Sequence, residues 1–210
     1  MNTAQTPTRV RMSVEEFLAL PDDGVHRELI NGEVRVMIQE TWDDPNAPII
    51  PVAAVERPMT IRNRIHSRIE TKFAYQLEAW LQTQPEPRGE VLTGEVGFRM
   101  GGREDSAVGI DVAFASAELV AATPEDQKVY IGCPVLAVEI LSPSDTQQTI
   151  ADMIANYLRH GVLVWVAEPN FRTVSVYRPG RPPESFNETQ ELSGDPYLPG
   201  FRVAVSRLFS

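Results

Sequence analysis

Apolar residues recur along the chain with two different periods, and the change from one to the other marks out the elements. Between Ile61 and Gln82 the residues Ile61, Ile65, Ile69, Phe73, Leu77, Trp80 and Leu81 return at three- and four-residue steps, the stripe of a long amphipathic helix. A second helix is predicted from about Thr146 to His160, where Ile150, Met153, Ile154, Tyr157 and Leu158 share one face. Ser144 or Asp145 offers its N-cap, and Gly161 ends it. A short helix is expected in SVEEFLAL, because Ser13 and Glu16 stand at capping-box spacing and Pro21 lies just past the end.

The remaining apolar runs read as strands. ELINGEVRVMI carries Asn31-Gly32 between two apolar pieces, a hairpin signal. EVLTGEVGF, ending at Phe98, and GIDVAFAS, starting at Gly109, flank a Gly101-Gly102 turn. VLVWVAE and TVSVYR are joined by Pro169-Asn170-Phe171, and the tail from Glu184 to Ser210 alternates weakly. The apolar run VLAVEILS, the helix after it and VLVWVAE have the length of a parallel crossover. The expected fold class is mixed α/β, a central sheet flanked by at least two helices. With 210 residues the chain is expected to form a single domain, 1–210, with an irregular Pro-rich loop over 41–58.

One polar position breaks this pattern. Glu139 stands inside VLAVEILS, a run continuous enough to be buried on both faces, where a lone carboxylate costs several kcal/mol without compensation. It is either half of a buried ion pair or a ligand. Asp111, in GIDVAFAS, shares its face with the small residues Ala113 and Ala115 while Val112 and Phe114 point the other way. If the two strands pair, the carboxylates share one pocket and repel unless one is protonated or a cation lies between them. Mg2+ or Mn2+ is the natural cation, since a hard divalent ion takes one or two carboxylates and keeps positions for water and phosphate oxygens.

Composition narrows the options. The chain has 19 basic and 29 acidic residues, a net charge of −10, so any hold on nucleic acid must come from a local patch. Arg62, Arg64, Arg68 and Lys72, with His66 beside them, form such a patch in the first half of the long helix, where positive charge opposes the helix dipole. An anionic partner would explain it; a solvated face relieved by Glu70 is the plainer alternative. Cys133 is the sole cysteine, which removes an internal disulfide and thiolate zinc sites from consideration. No run approaches ~18 apolar residues and the first residues lack a signal-peptide core, so no membrane span and a cytoplasmic location are expected.

The pieces FLALPDDGVHRELINGEV, His66, GIDVAFAS, PVLAVEILSPSD, YLRHGVLVWVAEPNFRTVSVYRPG and LPGFRVAVSRLF, in that order, resemble successive blocks of the Uma two family of endonucleases. That family belongs to the restriction-endonuclease-like, PD-(D/E)XK superfamily, and the resemblance runs from about residue 12 to 209. It implies a restriction-endonuclease-like mixed sheet and a metal site built from acids on adjacent strands. By resemblance, Asp111 is the motif aspartate, with Ile110 where proline is usual; Glu139 is the second acid, and the main-chain carbonyl of Ile140 is a third ligand. Glu28, which the residues alone place as a solvated strand-end acid, matches the N-terminal glutamate and becomes an outer ligand. The implied activity is metal-dependent hydrolysis of nucleic-acid phosphodiesters, DNA first, with Mg2+ or Mn2+ as cofactor and a homodimer as the form that cuts both strands.

One departure stands out. The family lysine on the helix after the second acid falls at Met153, whose thioether carries no charge to stabilise a phosphorane. The alternative is therefore a weakened nuclease fold acting by binding nucleic acid or protein. A structural domain whose buried acids pair with arginines is the third reading.

Overall fold

Local chemistry sets the first elements. In the computed structural model, which describes residues 11–20, 27–36, 64–101, 106–142 and 145–210, Ser13 Oγ accepts from the Glu16 amide and Glu16 accepts from the Ser13 amide. This closes the capping box of α1 (Val14–Leu18). β1 (Arg27–Ile30) and β2 (Glu33–Val36) pair antiparallel around Asn31-Gly32, whose φ angles of 52° and 75° are those of a primed hairpin turn. The expected 41–58 loop and Arg62 lie outside the described residues.

α2 (Arg64–Leu81) is the long helix, with Ile69, Phe73, Leu77 and Leu81 buried as the periodicity requires. The stripe departs from expectation at its start. Ile65 is 41% exposed and His66 takes the buried position, because at 3.6 residues per turn the line through Phe73 and Ile69 runs back to residue 66. β3 (Glu90–Met100) and β4 (Ser106–Ala115) form a long antiparallel pair. α3 (Ala117–Ala122), which the strand pattern did not suggest, is capped by Ser116 Oγ. β5 (Tyr130–Ile131) lies parallel on β3, held by Tyr130 Oη donating to Glu90 at 2.5 Å. Partial burial, helped by that carboxylate, pushes the phenol up to about 12.

β6 (Leu136–Ile140), α4 (Gln147–Arg159) and β7 (Leu163–Glu168) make the parallel crossover read from the sequence. The N-cap is Thr146, reciprocating with Thr149, rather than Ser144 or Asp145; the Asp145 carboxylate instead accepts from the amide and hydroxyl of Ser142. β8 (Thr173–Tyr177) and β9 (Glu184–Phe186) extend the sheet antiparallel, and β10 (Glu191–Ser193) pairs with β11 (Arg202–Ala204) separately.

The sheet runs β2-β1-β4-β6-β7-β8-β9, with β3 on the opposite edge of β4. α2 packs on one face with Val112, Phe114, Val138, Trp165 and the C-terminal Phe201; α4 packs on the other with Ala113, Ala137, Val164 and Val166. The architecture is mixed α/β, a large mixed sheet flanked by helices. Because β3 occupies one edge of β4 along its length, β1 and β6 must share the other. β1 meets it at Ala107 and β6 from Val112 to Phe114, so this edge forks between them.

Candidate functional site

Regular alternation along β4 fails at one residue. Ile110 and Ala113, three positions apart, pack in the same layer with α4, whereas strict alternation would put them on opposite faces. The cause lies on the neighbouring strand. Thr93 pairs with Val112 and Val96 with Ile110, so Gly94 and Glu95, at φ 79° and 62°, form a bulge opposite the single residue Asp111. On the other edge Asp111 falls between the residues taken by β1 and by β6. Among the described residues no ladder pair includes it.

Its side chain fills that gap. Asp111 Oδ2 accepts from the Ile140 amide at 2.9 Å and from His66 Nε2 at 3.1 Å, and the side chain is 8% exposed. The carboxylate thus stands where a strand carbonyl would have met the Ile140 amide. It lies against the peptide link joining Glu139 to Ile140. Two donors on one oxygen offset much of the cost of burying this charge. Glu139 Oε1 in turn accepts from Tyr157 Oη at 2.6 Å, the phenol being buried on α4.

The two acids therefore come from paired strands, the condition the sequence left open, but they are held from different helices. Asp111 is reached by α2 and Glu139 by α4. Because α2 and α4 cover opposite faces of the sheet, the two carboxylates are engaged from opposite layers.

Other predicted residues fall around this point. Ile140 presents its amide to Asp111. Glu28 stands in β1 opposite Arg35 and next to Leu29, which pairs with Ala107 at the fork; its side chain lies outside the described residues. The hairpin bearing it is tied to α4: the Asn31 amide donates to Ser106 Oγ, Ser106 donates to Asn156, and Arg159 donates to Asn31. Arg64 and Arg68 are exposed and Lys72 is half-buried, and none of the three forms an ion pair with a described residue. Grouped with them in the sequence, His66 instead turns inward, 5% exposed. Met153 packs half-buried in the α4 layer, one turn before Tyr157.

Sequence reasoning missed two participants. Tyr157 read as one more apolar residue, although a buried phenol needs a polar partner. Glu70 read as charge relief, yet its Oε1 accepts from the amide of Gly94 at the bulge, 2.9 Å away.

Among the described residues no group of three or more His, Cys, Asp or Glu side chains is arranged to hold a metal ion. Asp111, Glu139 and the main chain of Ile140 carry two carboxylates and a carbonyl as candidate donors. This all-oxygen set suits Mg2+ or Mn2+, which need only one or two carboxylates and retain water.

A mixed sheet forked around a buried aspartate, with a second acid on the adjacent strand, defines a restriction-endonuclease-like α/β protein. In fold the chain matches a crystal structure from Anabaena variabilis described as "a putative nuclease belonging to DUF820", with a TM-score of 0.69 and 22% identity over 94% of this chain and 97% of that one. The profile of the Uma2 family, "Putative restriction endonuclease", matches residues 55–206, and the chain belongs to that family. A search of curated proteins gives no significant match.

Proposed function

We propose that this protein is a divalent-metal-dependent endonuclease that hydrolyses nucleic-acid phosphodiesters. Asp111, Glu139 and the carbonyl of Ile140 would hold Mg2+ or Mn2+, with Glu28 assisting from β1. The observation that carries the reading is the placement of Asp111: a buried carboxylate that accepts from the Ile140 amide and from His66 and so lies against the Glu139–Ile140 peptide. Once bound, the ion would activate water and neutralise charge developing on the phosphodiester. The protein's own groups orient the acids. The Ile140 amide and His66 fix the Asp111 carboxylate, and Tyr157 fixes that of Glu139. Arg64, Arg68 and Lys72, without ion-pair partners among the described residues, supply contacts for the phosphate backbone.

The expected result is nicking of supercoiled plasmid in Mg2+ or Mn2+ that disappears in Glu139→Ala. Nicking that survives the substitution would come from a contaminant and defeat the reading.

Met153 favours a second reading, a weakened nuclease that acts mainly by binding. Its thioether, packed in the α4 layer, cannot supply the charge that the family lysine would bring. Under that reading wild type binds nucleic acid without nicking it, and Met153→Lys gains cleavage.

A further inference from the structure

One face of α2 grips the site at two successive turns. His66 reaches Asp111 on β4 and Glu70, four residues on, reaches the Gly94 amide in the β3 bulge. That bulge lies directly across from Asp111. The helix therefore holds both the aspartate and the distortion of the neighbouring strand that takes it out of the ladder. We propose that His66 and Glu70 are positioning residues, a paired clamp that sets the direction of the Asp111 carboxylate without touching substrate.

Three features support a directional role over packing. His66 is 5% exposed, so it does not contact nucleic acid from its place on α2. Its Nδ1 is buried without a hydrogen-bond partner among the described residues and lies 3.9 Å from Glu70 Oε2, so the ring's directed hydrogen bond is the one from Nε2 to Asp111. An apolar side chain would fill the same position without leaving that atom unpaired. Finally, Glu95 holds a positive φ that a side chain seldom adopts, and Glu70 binds the adjoining residue, so the strained bulge is fastened to α2.

The clamp rests on the proposed metal site only for its purpose, and two readouts separate the two claims. The first is amide hydrogen exchange, which needs no metal. His66→Ala should speed exchange at Ile140 by releasing the carboxylate that accepts from it. His66→Gln, which places an amide N–H near the position of Nε2, should restore protection. Glu70→Ala should speed exchange at Gly94, and Glu70→Gln, which keeps a carbonyl acceptor, should not. The second readout is Mn2+ titration. Both alanine variants should lose roughly 10- to 100-fold in affinity, and both amide variants should recover most of it, as for groups that orient a ligand.

Unchanged exchange in the alanine variants, or amide variants no better than alanine, overturns the clamp. Alanine variants that bind Mn2+ with wild-type affinity overturn it as well. If wild type binds no Mn2+, the metal reading fails and exchange at Ile140 and Gly94 alone decides the clamp.

Discussion

At the scale of single residues, the site is a set of directed hydrogen bonds onto two carboxylates. Tyr157 is the most testable of the donors, because its ring packs in the α4 layer whether or not the hydroxyl is present. Tyr157→Phe should keep the fold and destabilise it by about 1.5–3 kcal/mol in chemical denaturation, the range for a hydrogen bond to a charged group. Loss at the lower end of that range would show that solvent reaches Glu139 once the phenol is gone. Met153 allows a gain-of-function test. Lysine there would replace a thioether one helical turn from Tyr157, and cleavage should rise by about 10²- to 10³-fold if a preorganised cation is all that is missing. A Met153→Lys protein with unchanged nicking would place the limit elsewhere.

At the scale of elements, the β3 bulge decides where Asp111 points. Gly94 has a φ of 79° and nothing within 4 Å of an added Cβ, so Gly94→Ala tests backbone strain without steric clash. It should cost roughly 1–2 kcal/mol, the penalty for a left-handed L-residue, and weaken Mn2+ binding as the bulge relaxes. Equal Mn2+ affinity in that variant would separate the bulge from the site. Here the limits of the sequence become physical. The hairpin at Asn31-Gly32, the stripe through Ile69, Phe73 and Leu77, and the β6-α4-β7 crossover were legible because each depends on residues close in the chain. The pairing of the strands bearing Asp111 and Glu139 was only a condition in the residues themselves, and the family resemblance alone implied it. The direction of Asp111 was not legible, since it depends on a bulge in another strand. Gly94, one of two interior glycines of EVLTGEVGF, was the available signal, as glycine within a strand pattern marks such sites. His66 was misplaced for a related reason: identity suggested a surface residue, whereas the helical line through Phe73 and Ile69 buries residue 66 rather than Ile65.

At the scale of the whole molecule, two layers cover the sheet, and the fork between β1 and β6 opens where neither ladder continues. No helix among the described residues is long and apolar enough to cross a membrane. The C-terminal hairpin closes the α2 layer through Leu192, Leu198, Phe201 and Val203. Its turn is organised by Asp195, which accepts from the Gly200 amide, Ser193 and Arg202. The bond from Gly200, then that from Ser193, with Arg202 adding to them, holds the Asp195 carboxyl below its ordinary range. A carboxyl lowered in the folded state adds stability above its unfolded value and loses it as pH falls through the folded one. Asp195→Asn should therefore reduce the dependence of Tm on pH only on the acid side, leaving the neutral range flat. An Asp195→Asn protein with the wild-type acid slope would remove this residue from the acid response.

The direct measurement is a crystal of the protein soaked in Mn2+ and read by anomalous scattering. The expected result is one peak at the fork, in contact with the carboxylates of Asp111 and Glu139 and the carbonyl of Ile140, that vanishes in Asp111→Ala. A peak elsewhere, or an unchanged peak in that variant, would contradict the metal centre proposed here.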